Sequence, residues 1–274
     1  MHKEKNTDKK EIVSHYGIGI FSVMPQDIVH ADMEIPSIKV SKGVVVVRNK
    51  KGIHITVKKE NVAEIEIVND TDVSANSTMD VFVEEGANVR IRRRYAPGAP
   101  SLHTERYTLE RNASLRMERI VETVVFLRVL HEVILAGDNA SYSLIGRNTV
   151  SGASTFDSEE SILHRGRNTT SSIEERHVVK DKAKLIWRGR TRVLQEAKES
   201  MVSQISRTLL MNDETEADTV PMVELFTHNV RACHAATTTT LDPEQVFYLT
   251  SRGMSDKDAE KQIIEGFLKV MPTL

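Results

Sequence analysis

The sequence predicts a mainly β fold, a β-helix followed by a C-terminal α-helical hairpin. Three observations carry that prediction. Between about residue 35 and residue 240 apolar residues recur at every second position. The turns between these runs repeat. After Leu241 the pattern switches to helix-cap residues and helical spacing.

Composition sets the frame. The 274 residues carry 37 Lys and Arg against 39 Asp and Glu, a formal net charge of −2, with 28% charged and 39% apolar residues. That is the balance of a globular protein with a real core, in one long domain or two modest ones. Near-neutral charge argues against a protein that works mainly on nucleic acid. No apolar run approaches the roughly 18 residues of a membrane span; Val44–Val47 is about strand length. Residues 1–10 read as a frayed, basic tail without the apolar stretch of a secretory signal, so a cytoplasmic protein is expected. Residues 11–241 read as the β-helix domain and 242–274 as a helical segment. The single cysteine, Cys233, excludes an intramolecular disulfide, a CxxC pair and a Cys-rich zinc site. It also excludes a cluster held by four thiolates of this chain alone.

The strands come first along the chain. Ile53, Ile55 and Val57 alternate with His54 and Thr56, and Glu64–Ile67, Val81–Val83, Val89–Ile91 and Leu115–Met117 repeat the alternation. Such alternation turns one side chain to a core and the next to solvent, and Val, Ile and Thr suit pleated surface. Glu118–Leu135 is the one ambiguous stretch, its Val-Val-Phe-Leu run reading as a doubly buried strand. Short turns holding Ala87, Ala113, Ala140 and Ala183 precede alternating runs, at spacings of 26, 27 and 43 residues (87 to 113, 113 to 140, 140 to 183). The last is about two periods. Gly146, Gly166 and Gly189 form a second series, spaced 20 and 23 (146 to 166, 166 to 189). Periods of 20–50 residues without a helix in each point to stacked β-helix coils that complete one another's core. The glycines are expected at the corners, where positive φ costs them little. A β-sandwich with similar turns is the alternative.

The helices follow. Asp242-Pro243 is a start signal, a capping carboxylate and then a proline suited to the first helical position. Val246, Phe247 and Leu249 give an apolar stripe, and Gly253 is the expected C-cap. Ser255-Asp256-Lys257-Asp258 opens a second helix in capping-box style. Ala259, Ile263, Ile264, Phe267, Leu268 and Met271 lie at helical spacing on its buried face.

Motifs for nucleotide loops, zinc proteases and serine hydrolases are absent. The sequons at Asn76, Asn112, Asn139 and Asn168 read as plain turns. Arg90, Arg92, Arg93 and Arg94 could contact phosphate, but with Glu84, Glu85 and Glu105 nearby they read as a solvated strand and turn. Cys233 and His234 are both metal-ligand types. As strand neighbours they point to opposite faces and do not suit one ion. A small buried thiol beside a hydrogen-bonded histidine is the plain alternative.

The C-terminal third resembles the SufB/SufD family, scaffold components of the Suf iron–sulfur cluster assembly system. Val230-Arg231-Ala232-Cys233-His234-Ala235-Ala236-Thr237, followed by Leu241-Asp242 and Val246-Phe247-Tyr248-Leu249-Thr250-Ser251-Arg252-Gly253-Met254-Ser255, is similar to that family's signature. Glu265-Gly266-Phe267-Leu268 fits its ending, and Trp187-Arg188-Gly189-Arg190 and Gln204 through Met211 resemble its last coils. The resemblance runs from about residue 160 to 270.

It implies a right-handed parallel β-helix with a C-terminal helical domain, paired with a SufB-like partner or with itself. It also implies a SufC-like ABC-type ATPase subunit docked on the helices around Phe247, Tyr248, Arg252 and Phe267. No catalytic residue, tightly bound cofactor, nucleic acid or membrane partner is expected. A transient iron or iron–sulfur cluster at the subunit interface is what the family allows. His234 matches the family's histidine, whereas Ala235 replaces the glutamate that follows it in SufB. Ile205, after Gln204, stands where SufB has a cysteine, and Ala232 stands where SufD has one. Cys233 lies one residue later, beside His234 as its possible helper. The chain thus resembles a short SufD-like member, with some SufB flavour in Ala236-Thr237-Thr238. Two rival functions remain, a structural dimer partner without metal chemistry and a polysaccharide-acting β-helix enzyme. The enzyme would need clustered carboxylates, and aromatics for sugar stacking are 5% of the chain.

Overall fold

The computed structural model describes residues 36–49, 52–70, 72–123 and 125–269. The expected tail at 1–10, the start of the β-helix domain and Met271 lie outside them. The strands are β1 (Ser37–Val40), β2 (Val44–Asn49), β3 (Gly52–Val57), β4 (Val62–Asn69), β5 (Ala75–Val83), β6 (Asn88–Tyr95), β7 (Ser101–Leu109) and β8 (Ser114–Thr123). They continue as β9 (Leu127–Leu135), β10 (Ser141–Val150), β11 (Thr155–His164), β12 (Thr170–Val179), β13 (Lys184–Val193), β14 (Ser200–Leu210), β15 (Glu216–Leu225) and β16 (Val230–Thr240). Two helices follow, α1 (Pro243–Ser251) and α2 (Asp256–Leu268).

These strands build a β-solenoid of about six turns. One wall has the order β1-β4-β6-β8-β10-β12-β14-β16 and the other β15-β13-β11-β9-β7-β5-β3-β2. From β3 onward every pairing within a wall is parallel; β1 and β2 alone pair antiparallel, at the first end. Each coil is one strand in each wall, so the chain crosses the core at every corner. A coil takes 26 residues where Arg106 stands beside Glu132 and 32 where Lys184 stands beside Glu216.

Alternation sends Val89, Ile91, Leu115, Met117, Tyr142, Leu144 and Ile173 inward from one wall, against Val81, Tyr107, Val133, Phe156 and Leu185 from the other. At roughly 25 cal/mol per Å2, burial of these apolar stacks is the main stabilising term. Ala87, Ala113 and Ala140 are fully buried at successive corners leading into one wall. Ala183 is buried at the corner leading into β13, in the other wall. The 43-residue step to Ala183 therefore crosses from one series of corners to the other and is not two coils.

The glycine expectation holds for Gly166, which lies at the corner between β11 and β12, and is corrected elsewhere. Gly86 (φ 70°) is followed at the next corners by Asn112, Asn139 and Asn168, with φ of 57°, 59° and 54°. Asparagine tolerates this left-handed region and adds a ladder. Asn139 Nδ2 donates to Asn112 Oδ1, and Asn168 Nδ2 to Asn139 Oδ1, each at 2.8 Å. Asn76, by contrast, lies within β5, not in a turn. Gly146 and Gly189 lie mid-strand in β10 and β13, where they make room rather than turn. A Cβ on Gly146 would sit 2.9 Å from the Glu175 carboxylate, and one on Gly189 would collide with the side chains of Gln204 and Trp187. The Val-Val-Phe-Leu run is likewise not one buried strand: Val125 and Phe126 form a half-buried corner, and Leu127 opens β9.

The helix caps match the sequence. Asp242 Oδ1 accepts from the Glu244 amide at 2.9 Å, and Ser255 Oγ from the Asp258 amide at 3.2 Å. Gly253, at φ 94°, lies just past the Arg252 cap. Only part of the predicted α1 stripe is covered. Val246 and Leu249 are half-buried, while Phe247 faces solvent. In α2, Ala259 is buried and Ile263, Ile264, Phe267 and Leu268 are half-buried.

Candidate functional site

The last coil differs from every coil before it. Strand β16 pairs with β14 on one side and, among the described residues, is the free edge of its wall, as β15 is of the other. Val202, Gln204, Ser206 and Thr208 of β14 point inward and are buried, and β16 sets Ala232, His234, Ala236 and Thr238 beside them. These four are exposed, since no further coil among the described residues covers them. His234 thus ends the inward row Met117, Leu144, Ile173, Gln204, on an open stack.

Cys233 occupies the opposite face, beside Ser203, where the exposed thiol lies 3.5 Å from Ser203 Oγ as a weak donor. The two candidate ligands therefore share a strand but not a face, as alternation requires. The exposure of Cys233 removes the reading of a small buried thiol. Among the described residues no group of three or more His, Cys, Asp or Glu could hold a metal ion. His234 and Cys233 can each offer one ligand atom, and a complete set needs atoms from elsewhere.

The predicted docking residues divide. Phe247 is 73% exposed and Tyr248 59% exposed, and the Arg252 guanidinium lies 5.2 Å from the Tyr248 ring centre, at cation–π range. Tyr248 also lines a groove with Asp242, Gln245, Leu249 and Ile263. Phe267 is turned to the solenoid. Its carbonyl accepts from Arg176 Nη1 at 2.6 Å, and the Arg176 guanidinium lies 5.9 Å from its ring centre. Arg176 points outward from β12, so this pair fastens α2 to that wall.

The interior holds a charged network that a search for ligand motifs misses. Arg119 Nη1 donates to Glu160 and Nη2 to Glu175, both at 2.5 Å, and His131 Nδ1 lies 2.5 Å from Glu160. Asn148 Nδ2 donates to Glu175 at 2.8 Å, and Trp187 Nε1 at 3.3 Å. A second knot joins Arg93, Tyr95 and Tyr107 to Glu105. Phase could have revealed them: Arg93 follows Val89 and Ile91, and Arg119 follows Leu115 and Met117, at two-residue steps.

Burial penalises every one of these charges, and partners decide the outcome. Glu160 would be raised by burial, but Arg119 and His131 bring it down to about 2. Arg93 brings Glu105 to about 2 in the same way. Glu175 stays raised, by burial and by the charge of Glu160. Burial pushes His103 and His177 down to about 3. Toward the open coil the polar row continues through His177 and Thr208 to Thr238. There His177 Nε2, Thr208 Oγ1, Ser206 Oγ and both Gln204 amide atoms have no hydrogen-bond partner among the described residues. Polar atoms so placed are where ordered water sits in folded proteins.

No helix among the described residues is long and apolar enough to cross a membrane. Residues 37–267 match the family described as SUF system FeS cluster assembly, SufBD core domain. The chain is 26% identical over 197 residues to an iron–sulfur cluster assembly SufBD family protein of Staphylococcus epidermidis, covering 71% of this chain and 42% of that one. It is 30% identical over 136 residues to a family protein of Staphylococcus saprophyticus, covering 50% and 29%. A Staphylococcus haemolyticus family protein matches at 26% over 197 residues, covering 71% and 42%. The chain spans less than half the length of these relatives. A parallel solenoid, a capped helical hairpin and a match across nearly every described element agree, and the chain belongs to the SufBD family of iron–sulfur cluster assembly proteins.

Proposed function

We propose that this protein is a non-enzymatic, cytoplasmic scaffold that contributes His234 to an iron–sulfur assembly site completed by a second subunit. The observation that carries the reading is the open last coil. It leaves His234 exposed on a row that is buried in the coils before it. An unpaired 11-residue edge such as β16 is a template for pairing with another chain. Its partner is a SufB-like chain or a second copy. Iron and sulfide are cargo at that junction. Imidazole suits iron, and one or two ligands from each chain suffice where no chain holds a full set. Cys233, on the other face of β16, is an accessory ligand at most.

The second half of the proposal is an ABC-type ATPase subunit bound at Phe247, Tyr248 and Arg252, where an exposed aromatic pair and a guanidinium supply the residue types that dominate binding hot spots. Phe267 supports that surface from below by fastening α2 to β12. The test is co-purification of the intact protein with the ATPase subunit. The wild type should be retained, and Phe247→Asp with Tyr248→Asp should lose retention while melting as the wild type does. Retention unaffected by both changes, or none for the wild type, contradicts the partner assignment.

A further inference from the structure

Strand β6 carries four arginines apart from the site proposed above, and the fold sorts them. Arg93 turns inward to Glu105. Arg94 pairs with Glu122 at 2.9 Å. The acids beside them in sequence are occupied elsewhere, Glu84 by Lys58 at 2.9 Å and Glu85 by Lys59 at 3.1 Å and by Arg111. Arg92 faces outward in register with Glu66 and Glu118. Arg90 is left, side by side with Arg116 of β8. Neither makes an ion pair or hydrogen bond among the described residues.

Two like charges directly opposite on strands about 4.8 Å apart repel each other. On one side of this pair the register continues to Glu64. On the other it continues as Ser143, Ser172, Ser203 and Cys233, a row of hydroxyls and a thiol without a carboxylate. Long guanidiniums beside short serines leave a groove of about 430 Å3, lined by Arg90, Arg116, Ser114, Ser141, Ser143 and Ser172 among others. In the next outward row Glu174 is engaged by Arg176 and Arg207.

We propose that this groove is an anion site for the phosphate end of a small phosphorylated molecule. Guanidinium forks match phosphate oxygens in pairs, and the serine hydroxyls can donate to the remaining ones. The volume is that of a single small ligand. The flanking rows carry Glu66 and Glu118 beside Arg92, which would repel a longer acidic polypeptide.

The test is calorimetric titration of the intact protein with inorganic pyrophosphate at low salt. Saturable one-site binding is expected. Arg116→Ala should weaken it at least tenfold, and Arg90→Ala with Arg116→Ala should abolish it. Arg111→Ala, which removes a guanidinium paired with Glu85 at a corner, should leave it within twofold. Ser143→Asp places a carboxylate in the groove without touching the arginines and should also abolish binding, which keeps the test valid if an arginine variant melts early. Absence of saturable binding, or equal weakening by Arg111→Ala, overturns the proposal. So does a hexaglutamate peptide that binds more tightly than pyrophosphate, which would assign the groove to an acidic polypeptide.

Discussion

Gly189 shows how much a single residue position can carry in a stacked coil. It faces inward between Trp187 and Gln204, and the space its missing side chain leaves is filled by both neighbours. Gly189→Ala should cost about 1–3 kcal/mol by overpacking, read as a lower melting temperature in calorimetry. A neutral result would mean that Gln204 relocates without cost. The same residue illustrates what the sequence showed and what it hid. Its place in the repeat is legible but its role is not, because spacing alone cannot separate a glycine that turns the chain from one that makes room. Arg93, Arg119, Glu160 and Glu175 were legible by phase yet easily passed over, since alternation is read through apolar residues and a buried charge looks like a solvated one. His234 was found through its sequence context. Its inward row and its exposure became visible only with the register to Gln204.

At the scale of elements, the strands and the helix caps were the most legible, because both depend on local chemistry. Asp242 and Ser255 cap where they should, and every described residue from 37 to 240 is strand or connection. The corners were less so. Their conformation depends on the turn stacked above, as in the asparagine ladder of Asn112, Asn139 and Asn168. Asn139→Ala should therefore cost more than the loss of a single exposed hydrogen bond. It removes two ladder bonds and leaves alanine at φ 59°, together about 1–3 kcal/mol. Asn139→Gly, which removes the same bonds without the backbone strain, should be the milder change. Equal melting temperatures for the two would contradict a conformational role for the asparagine. Phe267 belongs to this scale too. A motif residue of the helical hairpin, it fastens one element to another through Arg176, a contact 91 residues away in sequence that no local pattern encodes.

At the scale of the whole molecule, the buried network makes stability depend on acid. His103, His177 and His164 have pKa values held by burial at about 3, about 3 and about 4, below their ordinary 6.5. The unfolded chain takes up protons below 6.5 that the folded chain refuses, so stability present above that pH is lost as pH falls toward 3. Glu105 and Glu160, at about 2 against 4.5, act in the same direction between 4.5 and 2. Glu175, raised, opposes them: its contribution is present below 4.5 and fades as pH rises through its folded value. Melting temperature should fall between pH 7 and pH 4, a loss on the order of several kcal/mol. A flat profile would mean that the interior takes up water and charge freely.

The open last coil is the other whole-molecule feature, and the assembly reading rests on it. The most direct measurement is iron and sulfide content after anaerobic reconstitution, for the chain alone, for the chain with its partner subunit, and for His234→Ala with the same partner. The account predicts no stable cluster on the chain alone, loading of the pair, and a several-fold lower content in the His234→Ala pair with unchanged pairing and melting temperature. Equal loading of the wild-type and His234→Ala pairs would contradict it.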